Sequence, residues 1–529
     1  MIDFDWHMPY PSQRHPVCAD NLVATSQPLA TAAGLAALKA GGNAVDAALA
    51  AAITLTVVEP NNNGIGSDAF ALVHDGQKLH GVNGSGRTPA ALNIKDYLDK
   101  KVVPQLGWLS VTVPGAVSVW VTLSKRFGRL PFHSLFEAAI HYAEVGFPLG
   151  PKSAYFFRQA QRYYRDFPSF QATFFPGGSV PTTGERVRLP QHAESLRQIR
   201  DSQGQAFYEG ALAQAMVQDA NHHGYPLAIE DLSTHQTEWV DPIEIDFGSA
   251  SLSEIPPNGQ GLMALIALGI LNRLNIERFA PDSVEAIHLQ VEAIRAAWQV
   301  VSTHLADPNF MVRPVKSFLA KDYLDAAANQ IEISTVGQRP GPLGASPDTV
   351  YLTAADASGM MVSFIQSNFR GFGSGVVVPN TGISLQNRAS GFVTEPGHPN
   401  CIAPSKRPFH TIIPGFAHRN GKPFMSFGVM GGHMQAQGHV QMMVRILGHG
   451  QNPQAASDAP RWHLTENGDL ALETGMPAEV INGLKTLGHR VLLNQPEHLF
   501  GGAQLIARLP TGGYCGGSDH RKEGLVAGY

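Results

Sequence analysis

The stretch Asp348–Gly375, DTVYLTAADASGMMVSFIQSNFRGFGSG, constrains this chain more than any other. It opens with an alternating run, Thr349 to Asp356, turns at Ala357-Ser358-Gly359, and continues as a second strand-like run, Met360 to Ser367. Two such runs joined by three residues ending in Gly predict a β-hairpin: a type I turn, then a left-handed glycine with a one-residue bulge. That turn pairs Asp356 with Met360, and counting down the ladder sets Thr349 opposite Ser367. A hydroxyl at the first residue of one strand thus faces a hydroxyl on its neighbour, directly after a Gly/Pro-rich segment.

The chain has 529 residues, enough for two to four ordinary domains or one large layered one. Its 43% hydrophobic and 15% charged residues are those of a globular protein. The formal net charge of −5 leaves no basic stripe for nucleic acid. The N-terminus, MIDFDWHMPYPSQRHPV, lacks a charged-then-apolar signal pattern, and the most apolar run, Ala47 to Val58, is too short to span a bilayer. Three cysteines, Cys18, Cys401 and Cys515, are far apart, odd in number and without CxxC spacing. This argues for a reducing compartment and against a disulfide framework or thiolate zinc site. The expectation is a soluble, cytoplasmic, globular protein.

Taken in order, the chain predicts a helix over Pro28–Ala40, ended by Gly41-Gly42, and a second one capped by Asn43 and running toward Val57. A polar loop from Glu59 then feeds a strand reaching Val73, and His80–Ala90 is a strand entering a Gly-rich turn that carries Arg87. Ser134 and Glu137 have capping-box spacing ahead of a helix over Ala138–Val145. Further helices are expected at Glu194–Arg200, Ala211–Asn221, Leu262–Leu271 (after a turn at Pro256–Gly261), Val284–His304 and beyond Val315, with a strand at Pro242–Phe247. Thr335–Asp348 has no apolar periodicity and is full of Gly and Pro, which predicts a mobile, exposed loop. Strands follow at Gly382–Leu385, Thr411–Phe416, Pro423–Phe427 and near Leu470 and Val491, with a helix starting near Met434. Mostly helix first and mostly strand afterwards suggests two domains or two halves of one layered core.

Three Gly-rich stretches, at Gly64-Ile-Gly66, Gly84-Ser-Gly86 and Gly371–Gly375, have neither a dinucleotide-binding context nor a following Lys-Ser/Thr, so no nucleotide cofactor is expected. His433 with His439, or His410 with His418, fits no zinc spacing, and no metal is expected. There is no Gly-x-Ser-x-Gly elbow. What remains is the strand-leading threonine. A Thr hydroxyl is a poor nucleophile without a base, but an α-amino group, with a reference pKa of about 7.7–8.0, can supply one when Thr is the first residue of its chain. Thr349 becomes such a residue only if the chain is cut after Asp348; otherwise it is an ordinary strand threonine.

The motifs from Thr349 onward resemble the nucleophile region of the γ-glutamyltransferase (glutathione hydrolase) family of N-terminal-nucleophile hydrolases. They are Asp356, Gly359, Phe372-Gly-Ser-Gly375, Asn380-Thr-Gly-Ile-Ser-Leu-Gln-Asn387, Ser405-Lys-Arg-Pro408 and Gly431-Gly432. In the first half Gly41–Ala48, Gly64-Ile-Gly66, Pro256-Pro257 and Ala306-Asp-Pro308 match as well. The resemblance implies a four-layer αββα sandwich (α/β, α+β) built jointly by two autoproteolytic fragments, 1–348 and 349–529. It implies that Thr349 attacks the Asp348 carbonyl, that Ser367 hydrogen-bonds the nucleophile, and that the Gly431 and Gly432 amides form an oxyanion hole.

The substrate pocket departs from the family pattern. The places of its three ligands for the glutamyl amine hold Phe369, Arg388 and Gly391, and its Ser-Ser pair becomes His410-Thr411. Its carboxylate-binding Arg is displaced: Ser85 holds that place and Arg87 follows two residues later. Arg87 is a candidate carboxylate anchor, since a guanidinium binds a carboxylate bidentately. An ammonium buried without acceptors costs several kcal/mol, roughly. This favours a small-acid amidohydrolase, similar to the oxamate amidohydrolase branch, over a glutathione hydrolase or γ-glutamyltransferase; an uncleaved binding protein of the same fold is the non-enzymatic alternative. The expected partners are a small amide substrate and the two fragments for one another, with a homodimer of processed units left open, and neither nucleic acid nor membrane.

Overall fold

The computed structural model describes Trp6, residues 13–337, Gly341 and residues 349–529. Asp348 and most of the loop ahead of it fall outside the described residues, so the expectations placed on them do too.

Helix α1 spans Pro28–Lys39 and α2 spans Ala44–Val58. Asn43 caps α2 by accepting from the amides of Val45 and Asp46, while Asp46 accepts from the Asn43 amide in return. Every residue of α2 is buried. A helix apolar all round must lie inside the molecule, and its two polar hydroxyls, Thr54 and Thr56, satisfy themselves on Ala50 and Ile53 carbonyls. Among the described residues no helix is long and apolar enough to cross a membrane.

Fourteen strands form two seven-stranded antiparallel sheets. In the first half they are β1 (Val17–Ala19), β2 (Leu22–Thr25), β3 (Asp68–His74), β4 (Leu79–Asn83), β5 (Glu238–Val240), β6 (Ile243–Phe247) and β7 (Ala250–Glu254). In the second half they are β8 (Val350–Ala355), β9 (Met361–Ser367), β10 (Gly415–Arg419) and β11 (Lys422–Met430), then β12 (Gly502–Arg508), β13 (Tyr514–Ser518) and β14 (Leu525–Gly528). One sheet runs β14-β2-β8-β9-β3-β4-β5, the other β1-β13-β12-β11-β10-β7-β6. Each sheet mixes strands from both sides of residue 348, so neither prospective fragment holds a complete sheet.

The layering follows from strand alternation. Val350, Leu352 and Ala354 of β8 face outward into a core with α1 and α2. Tyr351 and Ala355 face inward and meet Phe416, Met430 and Ile506 of the other sheet. The outer face of that second sheet packs on α3 (Gly261–Arg273), α4 (Val284–His304) and α5 (Met434–Met443). Helix, sheet, sheet, helix is the expected αββα sandwich.

Some local expectations need correction. Ser134 does not cap the helix at Glu137–Val145: its hydroxyl donates to Pro131 O, because a 3-10 turn over Phe132–Phe136 already leads into that helix. Gly382–Leu385 makes only isolated bridges, Val377 with Ser384 and Gly66 with Leu385, since it is held between loops rather than beside a strand. Thr411–Ile413 precedes the strand that begins at Gly415, because Gln260 and Gln435 side chains take the place of a ladder there. The first half is mostly helix, as expected, but it also supplies seven of the fourteen strands of the two large sheets. The cysteines are not all apart either: Cys18 in β1 stands directly opposite Cys515 in β13, both as free thiols.

Candidate active site

The hairpin has the expected register. Val350 pairs with Gln366 and Ala355 with Met361, Asp356 N–H donates to Met360 O at 3.1 Å, and Gly359 takes φ of 95°. One step below the ladder, Thr349 and Ser367 hydroxyls meet at 3.0 Å, both buried. Ser367 Oγ also accepts from the Phe369 amide at 2.8 Å. Phe369 has φ of 77°, a costly backbone state for a residue with a Cβ. The reversal ends β9 and swings the Phe369 ring beside two guanidinia, Arg388 at 4.2 Å and Arg370 at 5.3 Å from its centroid.

Strand β11 crosses over β8 from the facing sheet. Thr353 Oγ1 and Ser426 Oγ lie 2.6 Å apart, and a Cβ on Gly428 would fall 2.4 Å from the Tyr351 ring, so only glycine lets the strands approach there. Moving from 426 to 428 along β11 moves from 353 to 351 along β8. The same progression brings the Met430–Gly431 end of β11 to the level of Thr349. Gly431 and Gly432 then turn with φ of 137° and 59° into α5. Gln260 Nε2 fixes this turn, donating to Gly432 O at 2.8 Å and to Thr411 O at 2.5 Å.

On the β9–β3 side, Ser367 is the register partner of Asp68. Asp68 Oδ1 accepts from Gly115 N–H and Oδ2 lies 3.1 Å from His410 Nε2, all of it buried. Burial pushes the Asp68 carboxyl up to about 7, against the pull of Arg388, backbone amides and Arg407. Burial also lowers Arg388, to about 9, with Asp68 raising it and Arg370 lowering it. Burial, with Arg388 and Arg407, holds His410 well below the ordinary histidine range. His433, lowered to about 3 by burial and Arg370, donates from Nδ1 to Gln260 Oε1 at 3.2 Å and stacks on Phe409.

Arg388 is the unusual group. It is fully buried, donates from Nη1 to Thr411 Oγ1 at 2.9 Å, and has no partner at Nε or Nη2. An unmatched buried guanidinium is expensive unless an anion completes it. Arg87 is placed differently. It is half-exposed, bonds Asp307 at 2.8 Å and Ser405 O, and lines a cavity of about 440 Å³ whose wall includes Glu230, Asp231 and Glu238. Its fork already holds a carboxylate, and the neighbouring acids repel another.

The structure thus gathers Thr349, Ser367, Gly431, Gly432, Arg388, His410 and Thr411 at one end of the sandwich, with Arg87 beside Asp307. Sequence reasoning missed Asp68 and Gln260. A lone carboxylate opening the apolar run DAFALV was the signal for the first, while nothing in the sequence marked Gln260. Among the described residues, His288, Glu292 and His489 could together offer three metal-type donors. They already satisfy one another's surroundings: His288 Nδ1 meets His489 Nε2 at 2.8 Å, and Glu292 takes Arg295 and the Gly337 amide.

Comparison with known proteins gives a consistent result. The profile of the gamma-glutamyltranspeptidase family matches residues 30–529. The chain is 35% identical over 516 residues to the glutathione hydrolase-like YwrD proenzyme of Bacillus subtilis, covering 96% of this chain and 98% of that one. It is 34% identical over 516 residues to the oxamate amidohydrolase proenzyme of Klebsiella pneumoniae, with 95% and 97% covered. The crystal structure of a cephalosporin acylase from Bacillus halodurans superposes with a TM-score of 0.95 at 44% identity, over 100% of this chain and 99% of that one.

Proposed function

Because the chain belongs to the gamma-glutamyltranspeptidase family of hydrolases, we propose that it is a proenzyme that cuts itself between Asp348 and Thr349 and then hydrolyses an amide whose acyl half carries a carboxylate. In the first reaction Thr349 Oγ1 attacks the Asp348 carbonyl, the peptide C–N bond breaks, and the resulting ester is hydrolysed. The products are a chain ending at Asp348 and a free α-amine on Thr349. That amine takes the hydroxyl proton while Oγ1 attacks the substrate carbonyl. The Gly431 and Gly432 amides stabilise the oxyanion, the leaving amine takes the proton, and water activated by the same α-amine releases the acid. Ser367 holds Oγ1 in line throughout.

The observation that carries the substrate half of this reading is the buried Arg388, with two N–H faces open where family members are expected to bind an ammonium. It supports a carboxylate at that place and disfavours a glutamyl amine. We therefore assign the anchor to Arg388 rather than Arg87, and read the protein as a small-acid amidohydrolase, in line with its likeness to a protein named for oxamate. Glutathione hydrolysis is the competing reading, favoured by the likeness to a glutathione hydrolase-like proenzyme.

Denaturing electrophoresis with N-terminal sequencing tests the first reaction. Two fragments are expected, the smaller starting at Thr349, and Thr349→Ala is expected to leave one band near 56.8 kDa. Cleavage of Thr349→Ala at the same bond would mean another nucleophile. Ammonia release from oxamate against turnover of a γ-glutamyl anilide tests the second; efficient anilide turnover alone overturns the small-acid reading.

A further inference from the structure

The carboxyl of Asp68 has no place in the reaction just described, yet it lies one strand from Ser367 and in the field of Arg388. We propose that Asp68 is the proton-accepting counter-ion of Arg388, so that a carboxylate binds at Arg388 together with one proton, which Asp68 takes up. The inference rests on the assignment of Arg388 as the carboxylate anchor.

The geometry supplies each requirement. Asp68 and Arg388 are held by adjacent residues: Asp68 Oδ2 lies 3.1 Å from His410 Nε2, and Arg388 Nη1 donates to Thr411 Oγ1 at 2.9 Å. The two Asp68 oxygens are engaged by the Gly115 amide and His410, so Arg388 keeps Nε and Nη2 open. An empty site therefore holds one buried guanidinium and one nearby carboxylate. Bringing in a second carboxylate puts two anions against one cation, and like charges raise each other's affinity for protons. Asp68 is the one that can yield, because it is fully buried with the Gly115 amide and the His410 imidazole on its oxygens, and burial pushes its carboxyl up to about 7.

The His410 contact accommodates either state. An ionised Asp68 accepts from Nε2–H, and a protonated Asp68 donates to a bare Nε2, His410 then carrying its proton at Nδ1, which has no partner among the described residues. No bond to the pocket need break. The balance is simple: Asp68 carboxylate, substrate carboxylate and a solvent proton become Asp68 carboxylic acid beside an Arg388–carboxylate pair.

The other groups facing Asp68 do not compete for this proton near pH 7. Arg407 is paired with Glu238 at 2.7 Å. His410 and His235 are held neutral, chiefly by burial. Tyr208 is pushed upward, first by burial, and stays protonated.

The test is calorimetry of oxalate binding to the processed protein between pH 6 and 8, in buffers of different ionisation enthalpy. The expected result is net proton uptake of up to about one per oxalate, with affinity weakening as pH rises, by at most about tenfold per unit. Asp68→Asn, which keeps both hydrogen-bonding positions, is expected to bind oxalate with no proton uptake and a flat pH profile. Binding to the wild type without uptake, or uptake that survives in Asp68→Asn, overturns the role of Asp68. Binding without uptake in the wild type overturns the proposal even if the variant does not fold. Failure of oxalate and glutarate alike to bind the wild type would instead remove the anion site at Arg388.

Discussion

The hydroxyls of Thr349 and Ser367 stand 3.0 Å apart at the open end of the hairpin, one step beyond the last ladder pair, Val350 with Gln366. Ser367 also anchors the Phe369 amide, so it joins the proposed nucleophile to the turn that carries Phe369. Ser367→Ala is expected to slow turnover by no more than about tenfold, the equivalent of one hydrogen bond of about 1.4 kcal/mol. Steady-state rates on processed protein measure it. A loss of several hundredfold would give Ser367 a role beyond positioning.

Arg388 and Arg87 should separate cleanly. Truncating one partner of a buried charge pair costs about 2–5 kcal/mol, so Arg388→Met is expected to lower kcat/KM for a carboxylate-bearing amide by roughly 30-fold to several thousandfold. An uncharged amide of the same shape should be spared. Arg87→Met removes a half-exposed guanidinium from the buried Asp307, which keeps the Asn309 and Arg407 amides, and should leave that ratio of substrates unchanged. Equal losses for charged and uncharged amides in Arg388→Met would show that Arg388 supports the pocket rather than reads the substrate.

How far the site could be read from the residues depended on sequence distance. The Thr349–Ser367 pair follows from a single turn, because three residues ending in Gly fix the register locally. The cap at Asn43 is equally local. Asp68 and the Cys18–Cys515 pair are set by which strands lie side by side, and Gln260 by the turn between β7 and α3; β3, β1 and that turn come from the other half of the chain. Arg87 illustrates the same limit: its charge and turn were visible, but not that Asp307, 220 residues away, would fill its fork. The Ser134 capping box failed for a smaller reason, a 3-10 turn that the spacing rule does not see.

Acid lability follows from the histidines. Eleven described histidines have lowered pKa values, against four carboxyls that are raised. Burial is the leading cause in every case. A histidine with a depressed folded pKa binds its proton more readily when unfolded, so its stability contribution is complete above about 6.5 and is lost as pH falls toward its folded value. For His192 and His463 that value is about 4, and for His433 and His489 about 3. The raised carboxyls act in the opposite sense, but are fewer. The urea midpoint is therefore expected to be lower at pH 5.5 than at pH 7.5. An equal or higher midpoint at pH 5.5 would mean that these histidines take up protons without unfolding.

The pairing of Cys18 with Cys515 joins the two prospective fragments, since β1 lies before residue 348 and β13 after it. Cys18 is exposed, and Cys515 is buried, its thiol pushed up to about 11 by burial and by contact with Cys18. Directly opposed residues in antiparallel strands have Cβ atoms about 4.5–5.5 Å apart, and a disulfide asks for about 3.5–4.5 Å, so closure needs only a small approach of the edge strand. Oxidised glutathione should first form a mixed disulfide with Cys18, releasing one glutathione. The Cys515 thiolate then displaces the second glutathione, leaving a Cys18–Cys515 bond, faster at pH 9 than at pH 7 because more of Cys515 is ionised. On non-reducing denaturing gels the oxidised, processed protein is expected to run as one band at the mass of the intact chain. Reductant should restore two bands, and Cys18→Ser should give two under both conditions. A wild type that still gives two bands after oxidation would show that β1 does not hold the thiols within reach.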